Sequence, residues 1–497
     1  ISSKPHFLTL LRCLRTQNLP VYIFFRTFAF VLIYKYVRVK NMIDTSAFQG
    51  KTAKYFTLGC KLNFSETSTF GQMLQEMGVR TADKAEKADL CLINTCSVTE
   101  VADSKCRQAI RKMVKENPDS FVIVTGCYAQ LEAETVAKIE GVDLVLGSNE
   151  KANLIDYLSN AWSNQLRKGD ITAEKHSHCG EFHAVKTKDI KTFQHSCSKG
   201  NRTRYFLKVQ DGCNYYCTYC TIPFARGNSR NPSIESLVAQ AKKAAAEGGK
   251  EIVITGVNIG DFGQTTGEKF IDLVKALDAI EEIKRYRISS LEPDLIDQEL
   301  IEYCAKSRAF MPHFHIPLQS GSDSVLKLMH RHYDTKLFID KIQLIKKLMP
   351  EAFLGIDVMV GTRGETPEYF EETYKLLDSL PVTQLHVFPY SERPGTAALK
   401  IPYIVDAKDK KVRSQRLLDM SDEKTQAFYA SHIGKVKEVL FEKDPRGKAM
   451  HGFTDNYIRV ELPAALSKEE YDNEIMMVRL KDFNHDKSAL VCEIISE

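Results

Sequence analysis

This 497-residue chain has no low-complexity block and no apolar run long enough to span a bilayer. Collagen-like, coiled-coil and wholly disordered architectures are thereby excluded, and no membrane association is expected. The longest apolar stretch, Val21 to Tyr34, is interrupted by Arg26 and followed by Lys35-Tyr-Val-Arg-Val-Lys40. It is too short for a spanning helix and lacks the small-residue cleavage site of a signal peptide. An excess of one charge is missing too. The formal net charge is +4, but residues 1–41 hold seven Lys/Arg and no acid, which leaves −3 for the remainder. A surface coated for polyanions is excluded, so any nucleic-acid contact rests on local patches. Residues 1–41 also contain no methionine, the first being Met42, and are read as a non-functional extension. A phosphate loop is absent: Gly260 to Gly267 is followed by Glu268, where such a loop requires lysine.

What is present is enough chain for about three domains. Thirteen cysteines without a secretion signal point to a reducing, cytoplasmic compartment, where thiols serve metals or catalysis. Short apolar runs at 55–58, 89–94, 121–125 and 142–146 alternate with helical stretches at 64–78, 98–116 and 129–139, predicting a small doubly wound α/β domain over 52–164. Residues 165–198 carry few apolar side chains and read as a linker. Over 199–430, six strand–helix units predict an open, partial (βα)6 barrel, ending in a charged helix at 405–431. Within 432–497, runs at 436–441, 457–462, 475–480 and 490–494 alternate in the manner of a small antiparallel β-barrel.

The cysteines fall into two sets. Cys213, Cys217 and Cys220 lie within eight residues of one another just after a barrel strand. Soft thiolates select zinc or iron–sulfur clusters, but no fourth ligand follows at finger spacing. Three cysteines leave one iron of a cubane open for a substrate. Cys60, Cys96 and Cys127 are dispersed, yet each follows a successive strand of the N-terminal sheet. Carboxyl ends of parallel strands gather at one edge, so the topology can assemble them. Buried structural cysteines, as expected for Cys91 and Cys106, are the alternative.

The CxxxCxxC at Cys213, with Tyr219 before its last cysteine, resembles the signature of the radical S-adenosylmethionine enzymes. Thr57-Leu-Gly-Cys60-Lys-Leu-Asn63, Asn94-Thr-Cys96-Ser-Val-Thr99 and Gly126-Cys127-Tyr-Ala-Gln130 precede it. In that order the four motifs resemble the hallmarks of the radical-SAM methylthiotransferases, over about residues 52–495 including a C-terminal TRAM-like barrel. The resemblance implies two 4Fe-4S clusters, a radical-generating one on Cys213, Cys217 and Cys220 and a sulfur-donating one on Cys60, Cys96 and Cys127. S-adenosylmethionine would serve both as radical source and as methyl donor. The opening motif is closest to the branch that methylthiolates C2 of N6-threonylcarbamoyladenosine beside the tRNA anticodon. The isopentenyladenosine and ribosomal-protein aspartate branches are the alternatives, and a non-catalytic iron–sulfur RNA-binding or sulfur-carrier protein is the competing class. The implied partners are tRNA and a flavodoxin- or ferredoxin-like electron donor, with the enzyme a monomer.

By the same resemblance, Tyr219, Gly256, Asn258, Ser289, Glu292, Gln319, Val360 and Arg393 are candidate cosubstrate or substrate contacts. Polar residues at successive strand ends converge on one barrel mouth. Gly256 permits close backbone approach, and Arg393 is expected to meet a carboxylate of substrate or cosubstrate. Thr362-Arg363 departs from the Phe-Pro common among relatives and introduces a cation suited to phosphate. His313, His315, His330 and His332 are read as packing or RNA-side groups. For RNA, the expected patch is Lys435, Lys437, Lys443, Arg446 and Lys448, joined by Lys408–Arg416 and the Lys186–Lys208 region. Phe441, Phe453 and Tyr457 are available for stacking.

Overall fold

In the computed structural model, the residues described are 46–167, 180–198, 203–443, 447 and 449–495. The expected N-terminal extension, Arg446 and Lys448 lie outside them. The first strands are β1 (Thr52–Thr57), β2 (Arg80–Thr81), β3 (Leu90–Thr95), β4 (Phe121–Gly126), β5 (Leu144–Leu146) and β6 (Glu181–His183). They form one parallel sheet of order β2-β1-β3-β4-β5-β6. Every residue of β3 and β4 is buried, as near-continuous apolar runs in a sheet covered on both faces require. The sequence reads a single helix at 129–139. The structure has two, Cys127–Leu131 and Ala133–Ala137, broken where Glu132 leaves helical geometry at φ −128° and ψ 38°.

The expected linker is used by both neighbouring sheets. β6 closes the edge of the N-terminal sheet, and β7 (Cys197–Ser198) pairs antiparallel with β8 (Tyr205–Lys208). β8, β9 (Glu251–Thr255) and β10 (Arg285–Ile288) run parallel, as do β11 (His313–Gln319), β12 (Phe353–Val360) and β13 (Gln384–Pro389). Two single bridges, Tyr286 to Phe310 and Ser290 to His315, join β10 to β11. The result is the six-stranded open barrel predicted. Leu207, Ile254, Ile288, Phe314 and Ile356 pack into the apolar layer under the outer helices.

β14 (Val436–Lys443), β15 (Met450–Thr454), β16 (Arg459–Leu462), β17 (Ile475–Phe483) and β18 (Leu490–Ile494) close a five-stranded barrel. β15 carries too little apolar alternation to be recognised from sequence. Its Gly452 lies where a Cβ would stand 2.5 Å from the Leu440 carbonyl. This small barrel caps the N-terminal ends of the large barrel's strands. The buried Arg285 and Arg287 side chains donate to the carbonyls of Phe453 (3.0 Å), Asp455 (2.8 Å) and Thr454 (2.7 Å), and Arg287 also pairs with buried Glu251 at 3.0 Å. Phe353 of β12 joins the small barrel's core. No helix among the described residues is long and apolar enough to cross a membrane.

The docking corrects the expected RNA surface. Lys435 and Lys437 both bond to Glu351 (2.6 and 2.7 Å) and Lys443 to Glu469 (2.5 Å). Lys208 is fully buried. Arg413 pairs with Glu365 and Arg416 with Glu371, each at 2.5 Å. Phe441 is core, while Phe453 and Tyr457 lie against Arg204 and Arg287 at 4.8 and 4.9 Å. Intramolecular partners had no local trace in the sequence.

Because Arg287 serves two carbonyls and a buried carboxylate, Arg287→Met strands Glu251 without its ion-pair partner. The expected loss is about 3–5 kcal/mol of unfolding free energy, read by urea denaturation followed by circular dichroism.

Candidate functional site

The sheet register assembles the dispersed triad. Thr57 stands beside Asn94, and Thr95 beside Gly126, so Cys60, Cys96 and Cys127 emerge together at the carboxyl edge. Cys60 caps the helix Lys61–Glu76, and Cys127 begins the helix after β4. Two glycines make this packing possible. Gly59 (φ 101°) would place a Cβ 2.9 Å from the Cys96 sulfur, and Gly126 (φ 101°) would place one 2.3 Å from the Thr95 carbonyl. Only glycine adopts such backbone without strain. Asn63 ties the loops together, donating to the carbonyls of Leu58 (2.8 Å) and Thr95 (3.0 Å). Cys91 and Cys106 are buried as expected, Cys106 donating to the Cys96 carbonyl at 3.2 Å.

The local triad sits at the mouth of the large barrel. Backbone N–H groups of Tyr215 and Ile222 approach the sulfurs of Cys213 (3.5 Å) and Cys220 (3.4 Å), and Arg331 donates to Cys217 at 3.1 Å. Tyr219 also hydrogen-bonds Cys217. Burial pushes the thiols of Cys96, Cys213 and Cys220 up to about 12. It raises those of Cys127 and Cys217 too, against the pull of Arg226 and Arg331. Free thiols here keep their protons at neutral pH, and metal ligation displaces them.

The two mouths face each other. Thr221, next to Cys220, donates its hydroxyl to the carbonyl of Ser97, next to Cys96, at 3.2 Å. Among the described residues, the group of three His, Cys, Asp or Glu ligand atoms lying within 4.8 Å of one another is His315, Asp357 and His386. Neither cysteine triad is drawn that tight, whereas thiolates around one zinc would stand about 3.8 Å apart.

The remaining candidates stand at consecutive strand ends. Gly256 leaves room beside the Gln210 carbonyl, where a Cβ would come within 2.9 Å, and the Gln210 side chain accepts from the backbone of Val257 and Asn258 at 3.0 and 2.8 Å. The Asn258 amide is buried with both polar atoms unpartnered, as expected of a group that awaits a polar ligand. Ser289 follows β10. Glu292 pairs with Arg331, yet burial outweighs that partner and pushes its carboxyl up to about 7. Gln319 lies at a register shift of β11 with φ 63°, and Val360 ends β12, buried.

Arg393 differs from expectation. Its carboxylate partner is Asp103 at 2.7 Å, and it also donates to the Ser97 hydroxyl at 2.9 Å, so it clasps the Cys96 loop. Arg363 is likewise engaged, by Glu392 (2.7 Å) and the carbonyls of Leu399 and Ile401. His313 packs between Phe353 and Tyr457, and His332 stacks on Tyr215 at 4.1 Å.

Sequence reasoning missed Arg226, Arg331 and Glu66. Arg226, six residues after Cys220, is buried and donates to the Cys127 sulfur (3.3 Å), Asn63 (2.7 Å), Glu66 (3.1 Å) and Asp211 (3.0 Å). Lys151 and Lys208 also bond to Glu66 at 2.8 Å, and Lys208 and Arg230 to Asp211 at 2.6 and 3.2 Å. The cations hold both carboxyls ionised well below their ordinary range, despite the cost of burial.

Family models match two stretches: the Radical SAM superfamily over residues 207–377 and the Uncharacterized protein family UPF0004 over 52–147. The threonylcarbamoyladenosine tRNA methylthiotransferase MtaB of Bacillus subtilis is 37% identical over 415 residues, 82% of this chain and 90% of its own. Its namesake from Aquifex aeolicus is 35% identical over 82% and 95%. A tRNA-2-methylthio-N(6)-dimethylallyladenosine synthase of Clostridium botulinum is 33% identical over 78% and 85%. Among solved structures, the radical S-adenosylmethionine methyltransferase TsrM of Kitasatospora setae shares the fold, with TM-score 0.51 at 14% identity over 70% of this chain and 77% of its own.

Glu66 and Asp211 add stability that is complete above their ordinary values of 4.5 and 3.8 and is lost as the pH falls below them towards the depressed folded values. Glu66→Gln should therefore lower stability at neutral pH by about 3–5 kcal/mol and flatten this acid limb. Urea midpoints recorded from neutrality down to about pH 3 give the comparison.

Proposed function

The chain belongs to the radical-SAM methylthiotransferases, and we propose that it inserts a methylthio group at C2 of N6-threonylcarbamoyladenosine next to the anticodon of tRNA. Membership brings a 4Fe-4S cluster and S-adenosylmethionine; the sites for them are assigned here. The observation that carries the reading is the Thr221 to Ser97 hydrogen bond, which sets two separate cysteine triads across one mouth. A reaction that needs both radical generation and a sulfur source requires two such centres around one substrate atom.

Cys213, Cys217 and Cys220 would hold one cluster and Cys60, Cys96 and Cys127 a second, which when bound supply the electron that cleaves S-adenosylmethionine and the sulfur, respectively. Each residue around them has a definable task. Arg331 and Tyr219 hydrogen-bond the Cys217 sulfur and offset its negative charge. Gly256 lets the turn pack closely on Gln210 and Ile259, and the unpartnered Asn258 amide offers the methionine part of the cosubstrate a donor and an acceptor. Glu292, held by Arg331, presents a carboxyl poised near neutrality to the cosubstrate's polar groups. Arg393 fixes the Cys96 loop through Ser97 and Asp103. On this reading residues 52–164 carry sulfur donation, 199–430 the radical chemistry and 432–497 tRNA binding, with electrons from a flavodoxin- or ferredoxin-like donor.

Mass spectrometry of tRNA nucleosides from cells lacking the gene and from complemented cells tests the substrate. The 2-methylthio-N6-threonylcarbamoyladenosine should vanish and return; loss of the isopentenyl analogue or of ribosomal-protein methylthiolation instead would reassign it. In purified, reconstituted enzyme, Cys217→Ala should abolish 5′-deoxyadenosine formation. Cys96→Ala should retain that product and form no methylthiolated nucleoside, and retained methylthiolation would remove Cys96 from the sulfur-donating set.

A further inference from the structure

One cavity lies where the three parts of the chain meet. It is lined by Phe206, Val253, Arg287, Ser289, His313 and His315 of the large barrel, with Tyr457 of the small barrel below and Lys61 of the N-terminal domain above. About 60 Å³ is open to water-sized groups, against about 10–15 Å³ for a single water. No carboxylate lines it. Of its cations, Arg204 is paired with Glu442 at 2.9 Å and Arg287 with Glu251 at 3.0 Å, and His315 is held between Asp357 (2.5 Å) and Ser290 (3.1 Å). Lys61 is different: among the described residues its side chain has no ion pair and no hydrogen bond.

Its position is also locally unfavourable. Lys61 is the first residue of the 16-residue helix Lys61–Glu76, whose first turn holds no acid and whose cap, Cys60, makes no side-chain capping hydrogen bond. A cation there opposes the helix dipole, so local stability does not account for it. A second group in the same cavity is unsatisfied. His313 is 8% exposed and its Nδ1 has no partner, in a setting where buried polar atoms are normally bonded.

The reacting geometry indicates what fits. C2 of a purine and the carbon bearing N6 flank the same ring nitrogen. A base that presents C2 to a centre ligated by Cys60 therefore brings its N6 substituent within reach of the next residue, Lys61. We propose that Lys61 and the Ser289–His313 cavity form a subsite for an anionic, carboxylate-bearing N6 substituent, with Lys61 Nζ as the charge partner. This inference rests on the function proposed above and deepens it. It makes Lys61 a specificity-determining residue that selects a charged substituent over an apolar one: Lys61 is exposed, and a carboxylate gains an ion pair with it that an apolar group does not.

The test uses reconstituted holoenzyme and three anticodon stem-loop RNAs, bearing N6-threonylcarbamoyladenosine, its carboxamide analogue or isopentenyladenosine. Binding is read by fluorescence anisotropy and turnover by nucleoside mass spectrometry. The native protein should bind the carboxylate RNA about 10- to 100-fold more tightly than the carboxamide. Lys61→Gln should erase that preference by weakening the carboxylate RNA alone, with iron content unchanged, and Lys61→Arg should restore it. Equal weakening of both RNAs, or a preference that survives Lys61→Gln, overturns the subsite while leaving the proposed function intact. Turnover of isopentenyladenosine RNA alone would overturn both.

Discussion

The buried ion network around Glu66 and Asp211 is what the remainder of the structure depends on. Glu66 and Lys151 come from the N-terminal domain, and Lys208, Asp211, Arg226 and Arg230 from the barrel. All six are nearly or fully buried. Such charges are costly to desolvate and are tolerated only when each is paired and hydrogen-bonded, so the network fixes the one arrangement in which all of them are satisfied. That arrangement sets the dispersed triad opposite the local one. Four cations against two carboxylates leave two positive charges in surplus, and Arg226 directs its Nε at the Cys127 sulfur. Thiolates and the clusters they hold are anionic, so the surplus is compensated where the ligands lie.

Around this network, the fold brings polar groups to one end of the large barrel and covers the other. Arg285 and Arg287 seal the N-terminal ends of the strands against the small barrel. The carboxyl ends carry the cysteine loop, the Gly256–Asn258 turn, Glu292 and Gln319. Lys61 of the N-terminal domain lines a cavity with Ser289 and His313 of the large barrel. The RNA-facing surface is a separate matter, because several cations marked for it are engaged in ion pairs within the chain.

Much of this was legible in the residues. The strand runs of the N-terminal sheet and of the large barrel emerge at or near the expected positions, because buried parallel strands need apolar runs and helices need their own spacing. Both cysteine sets could be named, the local one from its spacing and the dispersed one from strand-end topology. β15 was not legible, since its buried positions are Met450, Gly452 and Thr454, of which only Met450 is a large apolar residue. The break at Glu132 and the role of the linker as two edge strands were equally hidden, because both depend on what packs beside them.

The sequence by itself determined the order of the main strands, the six cysteine positions and the family, since periodicity, ligand chemistry and motif order are local properties. Only the tertiary structure decided which charge meets which. Lys208 bonds to Glu66 across 142 positions, Arg226 to Asn63 across 163 and Arg393 to Ser97 across 296. A charged side chain carries no local mark of its partner. Desolvation selects that partner once packing has closed the alternatives, and for that reason Lys208 became a buried strut and Arg393 a clasp on the Cys96 loop.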